Sequence, residues 1–200
     1  MNAPPNLRPR LAVTFFFEHN LQRIPAVESR VPCTFRELTK ADLPAMSEVR
    51  TVSPAKRAQF EQRMSDGDRC FGAWIDDRLV HYIWVQTRGI HPLQNAGRTA
   101  PCPPGAFWLY DARTADDARG KRIYPFAMTE VLRSMRAQGF ARCLVYTAKR
   151  NVASQNGMRR VGFEPTCRLF AVAWTGRVVP LPRPWKRRSM VEVRPDGTVR

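Results

Sequence analysis

Residues 107–163 set five elements in an order that few folds accommodate: a strand, a basic glycine-containing turn, an amphipathic helix, a second strand, and a short helix led by asparagine. The first strand reads Phe107-Trp108-Leu109-Tyr110-Asp111-Ala112-Arg113-Thr114, and the turn reads Ala118-Arg119-Gly120-Lys121-Arg122-Ile123-Tyr124. In the helix Met128, Val131, Leu132 and Met135 form an apolar stripe against Glu130, Arg133 and Arg136, and Gly139 is the expected stop. Cys143-Leu144-Val145-Tyr146 is an unbroken apolar run, the pattern of a buried parallel strand. Strands interleaved with helices in this way define an α/β chain.

The length of 200 residues suits one domain with an extension at each end. The formal net charge is +16, and between Arg119 and Arg188 sixteen Lys or Arg residues face only Glu130 and Glu164. Such a surface attracts polyanions: nucleotide phosphates, nucleic acid, an acidic carrier protein or an anionic membrane face. Cys33, Cys70, Cys102, Cys143 and Cys167 are far apart and form no Cys-x-x-Cys pair, which fits a reducing cytoplasm and no metal site. Arg8 and Arg10 precede the apolar run 11–17, but that run is short, ends at Glu18-His19-Asn20 and lacks a cleavage site. It therefore reads as a strand and not as a secretion signal. No segment approaches the roughly 20 apolar residues of a membrane span.

The chain divides into an N-terminal extension over 1–32, a main domain over 33–176 and a basic, proline-rich tail over 177–200. Residues 1–9 are rich in Pro and Asn and read as disordered. Residues 33–38 alternate as a strand does, and Thr39-x-x-Asp42 before Leu43, Met46 and Val49 marks a capped helix start. Ser53-Pro54 opens a second helix with Phe60 and Met64 on one side. Residues 70–75 and 79–85 form a hairpin about Asp76-Asp77-Arg78, and 89–105, with Pro92, Pro101, Pro103 and Pro104, is a loop placed where an acceptor-binding lid could sit. Residues 169–174 are a last strand, followed by an irregular basic tail.

Backbone N–H groups at a helix start lack intrahelical partners and sit at the positive end of the dipole, so the turn 119–124 can ligate a pyrophosphate. Arg119, Lys121 and Arg122 add mobile positive charge. Downstream, Asn151 with Ser154 reads as a helix N-cap. Over residues 34–174 the chain resembles the GNAT superfamily of acyl-CoA N-acyltransferases. That superfamily's turn reads Arg/Gln-x-x-Gly-x-Gly/Ala; Arg119 matches, Gly120 is a common companion, and Arg122 and Tyr124 replace the two signature small residues. Ile123-Tyr124-Pro125 is similar to a subset that carries Ile-Tyr-Pro here, and Asn151, Ser154, Gly162 and Phe163 match the downstream Asn-x-x-Ala/Ser…Gly-Phe pattern.

The resemblance implies a GNAT-like splayed mixed β-sheet flanked by helices in a single domain. It implies acetyl-CoA as co-substrate, with the backbone of Ala112, Arg113 and Thr114 pairing with the pantetheine arm. Arg119, Gly120, Lys121, Arg122, Ile123 and Tyr124 would hold the pyrophosphate, and Asn151 and Ser154 would contact the far side of the carrier. Many relatives place a Tyr seven residues after the Asn to protonate the departing thiolate; here that position is Met158. Tyr124 is then the substitute acid, and Asp111, ahead of His81 and Tyr110, is the first choice of general base. His91, in the proline-rich loop, is assigned only contact with the acceptor.

The function implied is transfer of an acetyl group from acetyl-CoA to a primary amine by direct attack in a ternary complex, since no Cys or Ser is placed for a covalent intermediate. Two other readings remain at this level. One is a non-catalytic module that binds CoA or an acidic acyl carrier protein; the other is an acyltransferase acting on an RNA-linked amine, motivated by Arg159, Arg160, Trp185, Lys186, Arg187 and Arg188, though no nucleic-acid motif is present. The acceptor, whether small molecule or peptide, carries no sequence code; residues 36–66 and 89–105 are expected to shape its pocket.

Overall fold

The computed structural model describes residues 10–174, 177–180 and 185–186. Residues 1–9 and most of the basic tail, including Arg187 and Arg188, lie outside the described residues. Eleven strands are labelled in chain order: β1 (Arg10–His19), β2 (Thr34–Leu38), β3 (Arg69–Ile75), β4 (Arg78–Gln86), β5 (Ile90–Leu93), β6 (Arg98–Pro101), β7 (Ala106–Thr114), β8 (Arg142–Ala148), β9 (Glu164–Trp174), β10 (Arg177–Pro180) and β11 (Trp185–Lys186). The helices are α1 (Met46–Val49), α2 (Pro54–Ser65), α3 (Ile123–Ala137) and α4 (Val152–Arg160).

One nine-stranded mixed sheet runs β10-β9-β1-β8-β7-β4-β3-β2, with β11 also paired to β9. Only β7 and β8 pair in parallel; the other neighbours are antiparallel. The unbroken apolar pattern of β8 follows from burial on both faces: Cys143 and Val145 enter the core beneath α3, while Leu144 meets Phe16 and Trp108 on the opposite face. The α3 stripe expected from spacing is this core, since Met128, Val131, Leu132 and Met135 are fully buried. On the other face Phe60 of α2 packs with Tyr82 and Trp84 of β4.

Local chemistry sets the helix starts as the sequence suggests. The Asp42 carboxylate accepts from the Thr39 N–H at 2.8 Å, closing a capping box, and the Ser53 hydroxyl oxygen accepts from the Lys56 N–H at 3.2 Å ahead of Pro54. Gly139, at φ +90°, follows the end of α3 in the left-handed conformation that terminates helices.

Three features differ from expectation. The tail, expected to be irregular after a last strand at 169–174, adds β10 and β11 beside β9 in its described residues. The N-terminal strand, expected inside an extension, lies in the middle of the sheet, antiparallel to β8 from Thr14↔Ala148 to His19↔Cys143 and to β9 along its other edge. Segment 89–105, expected as a loop, contains the hairpin β5–β6, paired from Ile90↔Pro101 to Leu93↔Arg98 and turned through Gly97 at φ +61°. Its prolines are tolerated because this two-stranded ribbon leaves outer N–H positions without a partner strand.

Because β1 is interior, its aromatic side chains are structural. Phe16 is 1% exposed, with its ring 6.2 Å from Trp108 and 5.8 Å from Tyr146. We expect Phe16→Ala to lower unfolding free energy by about 3–5 kcal/mol in denaturant titration, a loss that a dispensable appendage would not produce.

Candidate active site

β7 and β8 pair from Ala106↔Arg142 only as far as Leu109↔Val145, although β7 continues to Thr114 and β8 to Ala148. The strands part there, and a cleft of about 1230 Å³ opens along the unpaired edge. A bulge in β7 sits at the parting: Trp84 pairs with Tyr110 and Tyr82 with Arg113, so Asp111 and Ala112 together oppose Ile83. Asp111 takes φ +43°, a left-handed conformation that Asp tolerates better than most residues. The extra residue breaks the alternation of faces. Tyr110 and Asp111 both meet Arg63 of α2, whereas Ala112 packs against the core beneath α3.

On the α3 side the cleft ends at the basic turn. Gly120 and Arg122 both have left-handed backbones, at φ +77° and +60°, so Arg122 adopts the conformation for which glycine is the usual choice. Arg30 ties the turn down from outside: its N–H donates to the Lys121 carbonyl at 2.8 Å and its guanidinium to the Gly120 carbonyl at 3.3 Å. With those carbonyls engaged, the N–H groups at the start of α3 remain as the donors of this turn, and Pro125 within the first turn has none. Arg119 pairs with Asp116 at 2.7 Å, an exposed contact worth little. Arg119, Gly120, Arg122, Ile123 and Tyr124 line the cleft, as do Ala112, Arg113 and Thr114. Lys121 does not; it borders a separate shallow depression with Glu48, Asp76 and Asp77.

α4 closes this end. The Asn151 side-chain oxygen accepts from the Ser154 N–H at 3.2 Å as an N-cap, and the Ser154 hydroxyl lies 3.2 Å from the Tyr124 hydroxyl. Gly157 lets the two helices meet this closely, because a Cβ there would stand 2.8 Å from the Tyr124 ring. Burial pushes the Tyr124 phenol up to about 12, only partly offset by Ser154, so it stays protonated at neutral pH. Met158, in place of a tyrosine acid, is a core side chain 1% exposed.

Two buried histidines flank the parting, one on each face. His81 Nδ1 is 2.8 Å from the Thr114 hydroxyl, its ring lies 5.8 Å from Tyr124, and burial lowers its pKa to about 3. On the α2 face His91 stacks on Trp108 at 5.1 Å and meets Tyr110 of β7 and Tyr146 of β8 edge-on, so it bridges the two strands where they separate. His91 Nδ1 is 2.6 Å from the Gln86 side-chain oxygen; an amide oxygen only accepts, so Nδ1 carries the proton. Nε2 is then a buried lone pair without a protein partner in a side chain that lines the cleft. Burial, with Arg63 nearby, lowers the His91 pKa to about 4.

Asp111 is placed differently from the free base that its strand position suggests. Burial pushes its pKa up, but the Arg63 guanidinium at 2.8 Å and the Lys56 ammonium at 3.1 Å, both on Oδ2, outweigh that and hold it below the usual carboxylate range. A carboxylate shared by two cations has little tendency to take a third proton partner. Asp68 accepts from the Tyr110 hydroxyl, and burial raises its pKa.

The residues that sequence reasoning missed are Arg30, Lys56, Arg63, Gly157 and the wider role of His91. Lys56, Phe60 and Arg63 fall at helical spacing, so one face of α2 was readable as cation-aromatic-cation. Nothing in the local sequence marks Arg30 or Gly157. Among the described residues no cluster of His, Cys, Asp and Glu could hold a metal ion, and no helix is long and apolar enough to cross a membrane.

Comparison with protein-family models and with curated protein sequences finds no match. Solved structures do match. A putative GNAT-family acetyltransferase from Novosphingobium aromaticivorans is similar at 16% identity and TM-score 0.58, covering 86% of this chain and 68% of its own. A GNAT-family acetyltransferase from Colwellia psychrerythraea is similar at 15% identity and TM-score 0.60, covering 88% of this chain and 58% of its own. A ribosomal-protein-alanine N-acetyltransferase from Brucella melitensis aligns at 22% identity and TM-score 0.54, over 74% of this chain and 94% of its own. The fold is therefore that of the GNAT superfamily.

Two measurements check the site's physical description. Arg122→Gly relieves a left-handed non-glycine residue and should raise unfolding free energy by about 1 kcal/mol, read by denaturant titration. His81 and His91 are held neutral in the fold with pKa values of about 3 and 4, below the value of about 6.5 expected when unfolded. The unfolded chain thus binds more protons in that window. Stability should be full above about pH 6.5 and fall on acidification by up to about 1.4 kcal/mol per pH unit for each histidine; a flat profile between pH 6.5 and 5 contradicts their burial.

Proposed function

We propose that the chain is an acyl-CoA-dependent N-acyltransferase, moving acetyl from acetyl-CoA to a primary amine by direct attack while both substrates occupy the cleft. The observation that carries this reading is the parting of β7 from β8 directly beside a basic, left-handed helix start: an unpaired strand edge that leads into a phosphate cradle. Acetyl-CoA supplies an activated thioester when bound. The backbone of Ala112, Arg113 and Thr114, unpaired on the β8 side, offers strand-like hydrogen bonds to the pantetheine amides. Amides at the start of α3, with Arg119 and Arg122, hold the pyrophosphate, and Asn151 and Ser154 border its far side.

The proton steps follow from the ionisable groups of each face. Tyr124, protonated at neutral pH, donates to the departing sulfur, with Ser154 orienting its hydroxyl. A thiol of pKa near 8.5 needs modest help, whereas an alkyl amine near 10.4 is almost wholly protonated at pH 7. On the acceptor face the lone pair of buried His91 Nε2 takes a proton from the attacking nitrogen through one water, its tautomer held by Gln86. A neutral imidazole of low pKa is a weak base, but Lys56 and Arg63 disfavour an ammonium beside them and so lower the acceptor's own pKa. Asp111 keeps those two cations in place; His81 backs the Tyr124 ring.

Calorimetry should detect acetyl-CoA binding to the purified chain, and thiol release should appear with a subset of an amine panel. Tyr124→Phe should lower kcat about 10-fold or more with acetyl-CoA affinity unchanged, and His91→Gln should lower kcat/KM by about 10²-fold. Tight CoA binding with no thiol release from any amine would favour a binding module, and no acetyl-CoA binding would refute the assignment.

A further inference from the structure

The α2 wall of the cleft holds more positive charge than the protein neutralises. Arg50, Lys56, Arg63 and Arg113 all line the cleft around Asp111. Lys56 and Arg63 share its Oδ2, and Arg113 Nε is 4.0 Å from Oδ1, beyond hydrogen-bond range. Arg50 stands beside the Tyr82 hydroxyl, and among the described residues it forms no ion pair with a carboxylate. The second carboxylate of this wall, Asp68, is engaged by the Tyr110 hydroxyl. Lys56 and Arg63, which share one carboxylate, are only 24% and 14% exposed and Arg50 is half-buried, whereas Arg113 is 54% exposed. Cations withdrawn from water without matching anions are costly, and a ligand anion would offset that cost.

We propose that the acceptor amine carries an anionic group, a carboxylate or a phosphate, held by Arg50, Lys56 and Arg113 while its nitrogen approaches the thioester; this rests on the acyltransferase reading of the same cleft. The phosphates of the acyl donor do not account for the cluster. Tyr82, Trp84, Tyr110 and Arg113 point to the α2 face through the β4–β7 register, whereas the phosphate turn leads into α3, which packs on Ile83 and Ala112 on the opposite face. Guanidinium groups suit the purpose, since each can bind carboxylate or phosphate oxygens bidentately. Arg63 is fixed by Phe60, Trp84 and Tyr110 within 5.5 Å of each ring and by Asp111, which makes it wall and not movable clamp.

Calorimetry on the full chain with three small amines tests this: ethanolamine, which is neutral beyond its amine, O-phosphoethanolamine and β-alanine. At least one anionic compound should bind 10-fold or more tighter than ethanolamine, and the better of the two identifies phosphate or carboxylate as the recognised group. Arg50→Gln and Lys56→Gln should each weaken that binding about 10-fold, while Arg50→Lys restores part of it and Arg57→Gln, on the exposed side of α2, leaves it unchanged. Near-UV circular dichroism identical to the parent chain shows that each variant is folded. Equal or tighter binding of ethanolamine, or full affinity in both Gln variants, would overturn the proposal. Acetyl-CoA titrated alone reads the acyltransferase assignment separately, so anion preference without acetyl-CoA binding would sink that assignment and not the recognition of anions.

Discussion

The parting of β7 and β8 after Leu109↔Val145 is the constraint on which the rest of the site depends. Parallel strands held together along their whole length would leave no free hydrogen-bonding edge and no passage between the two faces of the sheet. Pairing with β4 continues to His81↔Thr114 past the bulge at Asp111 and Ala112, and that one local irregularity, just beyond the last pair with β8, redirects the side chains that line the cleft. The left-handed backbone of Asp111 is strained for a non-glycine residue, and the ion pairs with Lys56 and Arg63 hold it there. Strain of this kind persists where the surroundings over-determine it.

The two faces of the opening divide the chemistry. Beneath α3 and α4 the polar groups are backbone amides, a protonated phenol, hydroxyls, the buried imidazole of His81 and the guanidinium groups of Arg119 and Arg122, suited to phosphate and to a leaving thiolate. Beneath α2 and the β5–β6 hairpin they are cations, two engaged carboxylates and an imidazole with a free lone pair, suited to an anionic amine. Arg30 links the N-terminal segment to this division, because its two hydrogen bonds to the carbonyls of Gly120 and Lys121 leave the turn's donors for a ligand. The N-terminal segment thus supports the site twice, through Arg30 and through β1 in the middle of the sheet.

Local signals were legible wherever the chemistry is local. The Thr39–Asp42 box, Ser53 before Pro54, the α3 stripe and the Asn151 cap each depend on residues a few positions apart, and each lies where spacing and capping place it. Pairing across long separations was not legible. A short apolar run marks β1 as a strand, yet nothing in its composition names β8 and β9 as neighbours. The hairpin at 89–105 was hidden by its prolines, and with it the position of His91 over the gap. Asp111 was found from the strand that carries it, but its ion pairs come from α2, whose packing angle no window of sequence contains. Arg122 departs from the glycine of the resembled motif in residue type while keeping glycine's backbone conformation, a case where geometry is retained and the letter is not.

A crystal structure of the chain with CoA bound tests the central claim most directly. The account predicts the pantetheine arm along the unpaired edge of β7, its amides hydrogen-bonded to the backbone of residues 112–114, the pyrophosphate on the N–H groups that open α3, and the sulfur within reach of the Tyr124 hydroxyl. CoA bound elsewhere, or β7 and β8 zipped together beyond Leu109↔Val145 with no room between them, would contradict it.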